Sequence, residues 1–351
     1  MTLLSPELVA RIQAGRAEHP RLRERDLAET LGISEAQLLA ASLGQDDGIR
    51  LRRIAADPAR LMPAIARLGD VMALTRNDWC VHERRGRYLD FHAGDHAAMI
   101  LGPEIDLRIF PRHWVHAFAV ERPAEGGPRR SLQVFDAAGD AVHKVHLGED
   151  SDLSEWDGVV RDLALDDGAP FDLTPRAAPE LLRINVAKVD ALREGWAAMT
   201  DTHQFLAMTS RLKFDRLGAY RSIGAPWAQQ LPQDAVAEVL RRSGAAGIPI
   251  MVFVGNRGCI QIHSGPVTRL EPMGPWFNVL DPRFNLHLRN DKVAEVWLVR
   301  KPTRRGDAVS VEGFDDQGRL ILQIFGKRAE AETDTGAWDR IAAGLADEVV
   351  A

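Results

Sequence analysis

The chain has only two cysteines in 351 residues. That is too few for a disulfide framework and points to a reducing compartment, here read as the cytoplasm. It lacks any uninterrupted run of about 18 apolar residues, which a membrane-spanning helix needs. The first stretch, "MTLLSPELVARIQAGRAEHPRLRERD", has neither the continuous apolar core nor the small-residue cleavage pattern of a secretory signal, and reads as an amphipathic helix. Positive charge is not in excess. A formal net charge of -6 argues against a broad electrostatic grip on nucleic acid or anionic lipid, leaving room for a local basic cluster. No Walker loop, dinucleotide-binding glycine pattern or Ser-His-Asp grouping is present, and "GNRGC" reads as a tight turn. What remains is an ordinary globular composition, 45% hydrophobic and 27% charged, able to bury a sizeable core. The length suits two domains, or one assembled from two similar halves.

An internal repeat favours two halves. "VMALTRNDWCVHERRG" from Val71 aligns with "IMVFVGNRGCIQIHSG" from Ile250, at an offset of 179. The same offset places Asn77 on Asn256, Cys80 on Cys259, Gly86 on Gly265, Pro103 on Pro282 and Pro123 on Pro302. "FDAAG" from Phe135 falls on "FDDQG" from Phe314, and "DLAETLGISEAQL" from Asp26 on "FLAMTSRLKFDRL" from Phe205. The cysteines are therefore equivalent, which favours two small structural thiols over a disulfide or a metal pair. The seam falls in the Pro- and Asp-rich stretch Leu163–Arg183, giving an N-terminal half over 1–170 and a C-terminal half over 171–351.

Helical patterns open the first half: "SPELVARIQAGR", "RDLAETLG" and "SEAQLLAASLG". Short alternating segments follow, namely "VMALTR", "CVHER", "RYLDF", "IDLRIF", "WVHAFAVE", "SLQVFD" and "AVHKVHL", with "FDAAGD" and "FDDQGR" as hairpin turns. The predicted fold class is α+β: a tandem duplication in which each half is a large antiparallel β-sheet flanked by α-helices.

The repeat also serves as a control. A residue required by the fold tends to recur at ±179, whereas one serving a single ligand need not. In "DTHQFLAM", His203 opens an apolar helical pattern that Asp201 or Thr202 is placed to cap. His203 falls on Glu24, which weakens its reading as a half-buried core histidine. Arg108 falls on His287, Arg216 on Gln37, Lys301 on Arg122, Phe253 on Leu74, Phe325 on His146 and Arg328 on Glu149.

Taken together, "VFVGNRGCIQIHSGPV", "GPWFNVLDPRFNLHLR", "VWLVRKPT", "DLRIF" and "DTHQF" resemble the cytoplasmic haem-degrading and haem-trafficking proteins of bacterial haem-uptake systems (HemS/HmuS type). The resemblance spans nearly the whole chain, duplication included. It implies haem between the halves, the first half on the distal side and the second carrying the axial histidine and the propionate side. His203 matches the axial ligand; a neutral imidazole is a good donor to haem iron. Arg108 matches the distal residue, where a permanently charged guanidinium can donate to a species on the iron; a solvated or salt-bridged strand arginine is the alternative. Arg216, Lys301 and Arg328 match propionate-side positions. Phe110 and Phe253 match residues that pack on the ring, and Gln323 and Phe325 border the same region, with Phe325 where tyrosine is common. Only one half carries the ligand, so one haem per chain is expected.

The implied reaction is oxidative opening of the porphyrin ring with release of iron; the alternative is a carrier that hands haem to a separate oxygenase. The partners implied are haem, an electron donor or downstream haem oxygenase, the haem ABC transporter and a second copy of the chain, with no nucleic acid and no membrane insertion. Two other readings are weaker. "DLAETLGISEAQLLAAS" looks like a helix-turn-helix, but "SEAQLLAAS" carries no lysine or arginine. The pairs His113/His116 and His143/His146 are three apart, so on a strand they point to opposite faces. His92 and His96 face one another only if their loop is helical.

Overall fold

The computed structural model describes residues 4–45, 47–166, 168–327 and 336–347. In chain order the first repeat forms α1 (Pro6–Glu18), α2 (Glu24–Thr30), α3 (Glu35–Ala40), β1 (Arg50–Ile54), α4 (Pro58–Arg67), β2 (Gly69–Arg76) and β3 (Cys80–Gly86). It continues with β4 (Phe91–His92), β5 (Ala98–Leu101), β6 (Asp106–Ile109), β7 (His116–Arg122), β8 (Arg129–Phe135), β9 (Ala141–Ser151) and α5 (Trp156–Leu163). The second repeat forms α6 (Val189–Ala197), α7 (Gln204–Leu212), α8 (Arg216–Ile223), β10 (Ala228–Leu231), α9 (Ala235–Ala245), β11 (Ile250–Gly255) and β12 (Cys259–Gly265). Then come β13 (Leu270–Met273), β14 (Trp276–Asp281), β15 (Phe284–Arg289), β16 (Glu295–Lys301), β17 (Ala308–Phe314), β18 (Leu320–Gly326) and α10 (Gly336–Asp347). Each element has its counterpart in the same order; β7 and β16, for example, start 179 apart (295 − 116).

The strands fall into two nine-stranded sheets, so the predicted α+β duplication holds. Contacts divide the chain into two compact units. The first comprises the residues up to Arg76 with Glu83–Ala177 and Gly255–Gln261; the second comprises Asn77–His82, Ala178–Val254 and the chain from Ile262. Each unit therefore includes a short hairpin tip contributed by the other repeat. In the first unit, Asn256 Nδ2 donates to Arg76 O and Val142 O, both at 2.9 Å, while its Oδ1 accepts from the Gly258 and Cys259 N–H groups. In the second, Asn77 Nδ2 donates to Ile321 O at 2.8 Å and its Oδ1 accepts from the Trp79 and Cys80 N–H groups. The repeated Asn-x-x-Cys is thus a turn-closing amide followed by a small side chain that can enter a core. Cys259 and Cys80 are free and buried, and burial pushes both thiols up, Cys259 to about 12.

Within the first unit, β1, β7, β8, β9 and β2 form a continuous antiparallel run, and β4, β5 and β6 a shorter one. The second unit repeats this with β10, β16, β17, β18 and β11, and with β13, β14 and β15. Alternation along each strand feeds two cores. On β16, Val296 and Leu298 join the core that includes residues of α9 and α10, while Trp297 and Val299 join the one that includes residues of α6, α7 and α8. The predicted hairpin turns are present: Asp136 N–H donates to Asp140 O and Asp315 N–H to Arg319 O, with Gly139 and Gly318 at φ 84° and 76°.

Two details differ from the expected elements, and a third bears on the helix-turn-helix reading. "RYLDF" is strand only at its last residue, because Asp90 adopts φ 53° and turns the chain before β4. Helix α4, started by the Asp57 cap and Pro58, was not among the predicted helices; its internal Pro63 obscures the pattern. Helix α3 buries Glu35, Ala36, Leu38, Leu39 and Ala40, which leaves no free face to enter a DNA groove.

Candidate functional site

The start of α7 is fixed by its own short side chains. Thr200 N–H donates to Gln204 Oε1 at 2.9 Å, and Arg304 N–H donates to Thr200 O at 3.0 Å. Asp201 Oδ1 accepts from the His203 N–H at 2.8 Å and lies 2.6 Å from His203 Nδ1. The expected Asp201 or Thr202 side-chain cap is replaced by backbone turns, Gln204 N–H to Asp201 O and Phe205 N–H to Thr202 O, both 3.1 Å. His203 itself occupies the N-cap position without a side-chain cap bond. The carboxylate that would have capped the helix is turned toward the imidazole instead. The His203 backbone N–H, and after it the ring, hold the Asp201 carboxyl below its ordinary range.

The His203 side chain is 93% exposed, so it is not a half-buried core histidine. With Nδ1 engaged by Asp201, Nε2 is the ring nitrogen directed away from the carboxylate. Two residues on, Phe205 is buried, a contribution of roughly 2–3 kcal/mol from its apolar area. Arg216 and Lys301 both lie over the Phe205 ring, 5.2 and 4.9 Å from its centroid. The helix start is thereby anchored to a charged cluster.

Glu312 on β17 is the centre of that cluster. Its Oε1 accepts from Lys301 Nζ at 2.9 Å and Ser310 Oγ at 2.8 Å; its Oε2 accepts from Arg216 at 3.1 Å and Tyr220 OH at 2.9 Å. Tyr220 OH accepts in turn from Lys301 Nζ at 2.9 Å and Arg216 at 3.0 Å. Burial opposes ionisation of Glu312, but Lys301 and Arg216 together hold its carboxyl down at about 2. Burial pulls the Lys301 ammonium down to about 8 against the pull of Glu312. At neutral pH one carboxylate thus faces two cations, leaving a surplus positive charge in a dry setting. The Lys301 side chain is 4% exposed, that of Arg216 22%. Arg216 is the cation that can still meet an incoming anion; Lys301 is committed to the interior.

Cross-strand partners share a sheet face, so register identifies the floor. Gln323 on β18 pairs with Glu312 on one side and Phe253 on the other, and Phe325 pairs with Ser310 and Met251. The Phe253 and Phe325 rings meet edge to face at 5.2 Å. Phe253, Gln323 and Phe325 are half-buried, giving a partly open apolar floor with one amide. The second unit therefore brings Arg216, Lys301, Gln323, Phe253 and Phe325 onto connected positions, with His203 at the start of the helix that covers the cluster. Arg328 lies outside the described residues. Arg108 and Phe110 belong to the first unit. Arg108 on β6 is ion-paired with Asp106, donates to Leu107 O at 3.2 Å and is 33% exposed; this is the salt-bridged alternative of the sequence reading. Phe110 is half-buried and its N–H donates to Gly258 O at 2.9 Å.

Glu312, Tyr220 and Ser310 were not singled out from sequence. The repeat held a signal for two of them, because Glu312 falls on Gln133 and Tyr220 on Ala41. Among the described residues no group of three or more His, Cys, Asp or Glu is arranged to hold a metal ion.

A model of the haemin-degrading HemS/ChuX domain matches the chain twice, over residues 32–163 and 213–345. The chain belongs to that family. The two HemS matches correspond to the two structural repeats. Over 96% of each chain, the sequence is 37% identical to the hemin transport protein HmuS of Yersinia pestis. Holo-PhuS, a heme-binding protein from Pseudomonas aeruginosa, is 43% identical, with a TM-score of 0.91 over 97% of this chain and 99% of that one. The heme-degrading enzyme ChuS of Escherichia coli O157:H7 is 32% identical, with a TM-score of 0.87 over 97% and 98%. No described helix is long and apolar enough to cross a membrane.

Proposed function

We propose that this protein binds one haem through His203 Nε2 and opens the porphyrin ring oxidatively, releasing iron. Haem is the ligand, as membership of the HemS family and full-length likeness to a heme-binding and a heme-degrading protein indicate. The observation that carries the residue assignment is the exposed imidazole of His203, held through Nδ1 by Asp201. An aliphatic or fully paired residue at that helix start would have nothing to offer iron.

The residues fit the group chemically. A neutral imidazole supplies the axial donor. Phe253 and Phe325 offer apolar faces to a planar ring, and Phe110 is retained as a ring-packing residue by resemblance. Arg216 answers a propionate with the surplus charge of the Glu312 cluster, and Arg328 is retained as a second cation by resemblance. Lys301 supports that charge from beneath. Gln323 supplies a polar edge, and Phe325 brings no hydroxyl. Arg108, ion-paired with Asp106, is proposed by resemblance as the polar donor on the distal side. Haem brings the redox-active iron and the ring that is consumed, while dioxygen and an external electron donor supply the oxidant and the electrons. The chain's own work is to bind, orient, shield and donate hydrogen bonds. We place it in the cytoplasm, where two buried free thiols stay reduced, with a reductase or downstream oxygenase, the haem transporter and a second copy of the chain as candidate partners.

A carrier function is the second reading, favoured by the relative named as a hemin transport protein. The deciding experiment adds ascorbate to the haemin-loaded protein with catalase present. Loss of the Soret band with a tetrapyrrole product supports the enzyme; an unchanged spectrum with transfer of haem to an acceptor supports the carrier. Arg108→Ala is expected to keep haem and misdirect or slow its oxidation, and unaltered turnover would remove Arg108 from the mechanism.

A further inference from the structure

We infer that Asp201 is a positioning residue: its carboxylate selects the ring orientation and tautomer of His203 and raises the donor strength of Nε2. The inference rests on the reading of His203 as the haem ligand. Three observations support it. One oxygen, Oδ1, takes both the backbone N–H of His203 and the contact to Nδ1, at 2.8 and 2.6 Å. Backbone and ring are thus referred to a single atom, so turning the ring breaks its bond to an oxygen that the backbone N–H holds in place. The side chain is otherwise 93% exposed, and an exposed imidazole with no such partner would sample several rotamers, at an entropic cost when it binds. Finally, the pair is confined to one repeat. At the positions 179 residues earlier stand Leu22 and Glu24, and Arg23, the N-cap of α2, makes no side-chain cap bond. The fold can therefore start this helix without an acid two residues ahead, and the acid accompanies the histidine.

The platform beneath the pair is itself tied down. Gln204 holds Thr200 and Arg304 holds the Thr200 carbonyl, so the turn that carries Asp201 is closed on both sides. A carboxylate accepting from Nδ1–H gives the imidazole partial imidazolate character, which strengthens its bond to iron and favours the ferric state. Asparagine keeps an acceptor but loses the charge; alanine loses both. The two substitutions thus separate orientation from electronics.

The test uses the full-length protein loaded with haemin, comparing wild type, Asp201→Asn, Asp201→Ala and His203→Ala. Expected for Asp201→Ala are haem affinity roughly 10-fold weaker, a more positive ferric/ferrous potential and a lower iron–imidazole stretching frequency. Asp201→Asn should keep most of the affinity and still show the raised potential. In the haem-free protein, nitrogen NMR in alkaline buffer should show His203 protonated at Nδ1 in wild type, with that preference lost in Asp201→Ala. If both Asp201 variants keep the wild-type potential, stretch and tautomer while His203→Ala changes the Soret band, the positioning role is wrong and the ligand assignment survives. If His203→Ala leaves the Soret band unchanged, both fall.

Discussion

The two units begin equivalent helices with opposite chemistry. At the start of α7, His203 is exposed and Asp201 is its hydrogen-bond partner. At the start of α2 the corresponding residue, Glu24, is ion-paired with Arg122, which is the counterpart of Lys301. Both units also bury an acid between two cations, but the acid comes from different places. In the second unit it is Glu312 on β17, with Arg216 from α8 and Lys301 from β16. In the first it is Glu35, the first residue of α3, with Arg76 from β2 and Lys144 from β9. Burial opposes ionisation of Glu35, yet Lys144 and Arg76 hold its carboxyl at about 2. At the β17-equivalent position of the first unit stands Gln133, bonded to Ser131. Each unit thus sets one buried acid against two cations by different elements, whereas an exposed imidazole stands at only one of the two helix starts.

The largest effect should come from importing Gln133 chemistry into the second unit. Glu312→Gln leaves Arg216 and Lys301 without their shared anion, at a cost of about 3–5 kcal/mol read from denaturant unfolding. A loss below 1 kcal/mol would show that the two clusters are not equivalent supports. Next is His203→Glu, which copies Glu24: haem affinity should fall at least ~100-fold by spectroscopic titration, with stability barely changed. Retained affinity would erase the distinction between the two helix starts.

The third test concerns pH. Burial lowers His143 to about 3 and His146 to about 4, both below the unfolded value of about 6.5. The unfolded chain therefore binds more protons between those values, and the stability lent by the neutral rings is lost as pH falls from about 6.5 toward 4. His146→Phe, which copies Phe325, should flatten that part of the profile by about 1–2 kcal/mol, less than full linkage because the ring is partly solvated. An unchanged slope would assign the acid sensitivity elsewhere. Glu312 and Glu35 act lower: with folded values near 2, their stabilisation is complete above about 4.5 and is lost only as pH falls toward 2. The smallest effect is expected from Glu24→Ala. It breaks a partly exposed pair, so it should cost no more than about 1 kcal/mol and leave haem titration untouched.

Much of this was legible in the chain itself. The alternating strands and the Asp-x-x-Gly turns, each repeated at an offset of 179, are local patterns, and local patterns survive without tertiary contacts. That His203 is no core histidine was foreshadowed for a different reason: the repeat offers a second copy of each position, and there it has Glu24; its assignment as ligand came from the family resemblance. The same comparison held Glu312 against Gln133, yet gave no reason to select it, because an acid on a strand is ordinarily a solvated one.

By itself, then, the sequence determined the duplication, the fold class and a histidine that the scaffold does not need. Tertiary structure decided which cations are spoken for. Arg216 is far from Lys301 and Glu312 in the chain, and only β16, β17 and α8 packing together can set one carboxylate against two cations and bury Lys301 while leaving Arg216 partly open. It also decided the partner of Asp201, since a residue just before a helix can cap it or bond its neighbour, and that choice depends on a turn held in place by Gln204 and by the chain at Arg304.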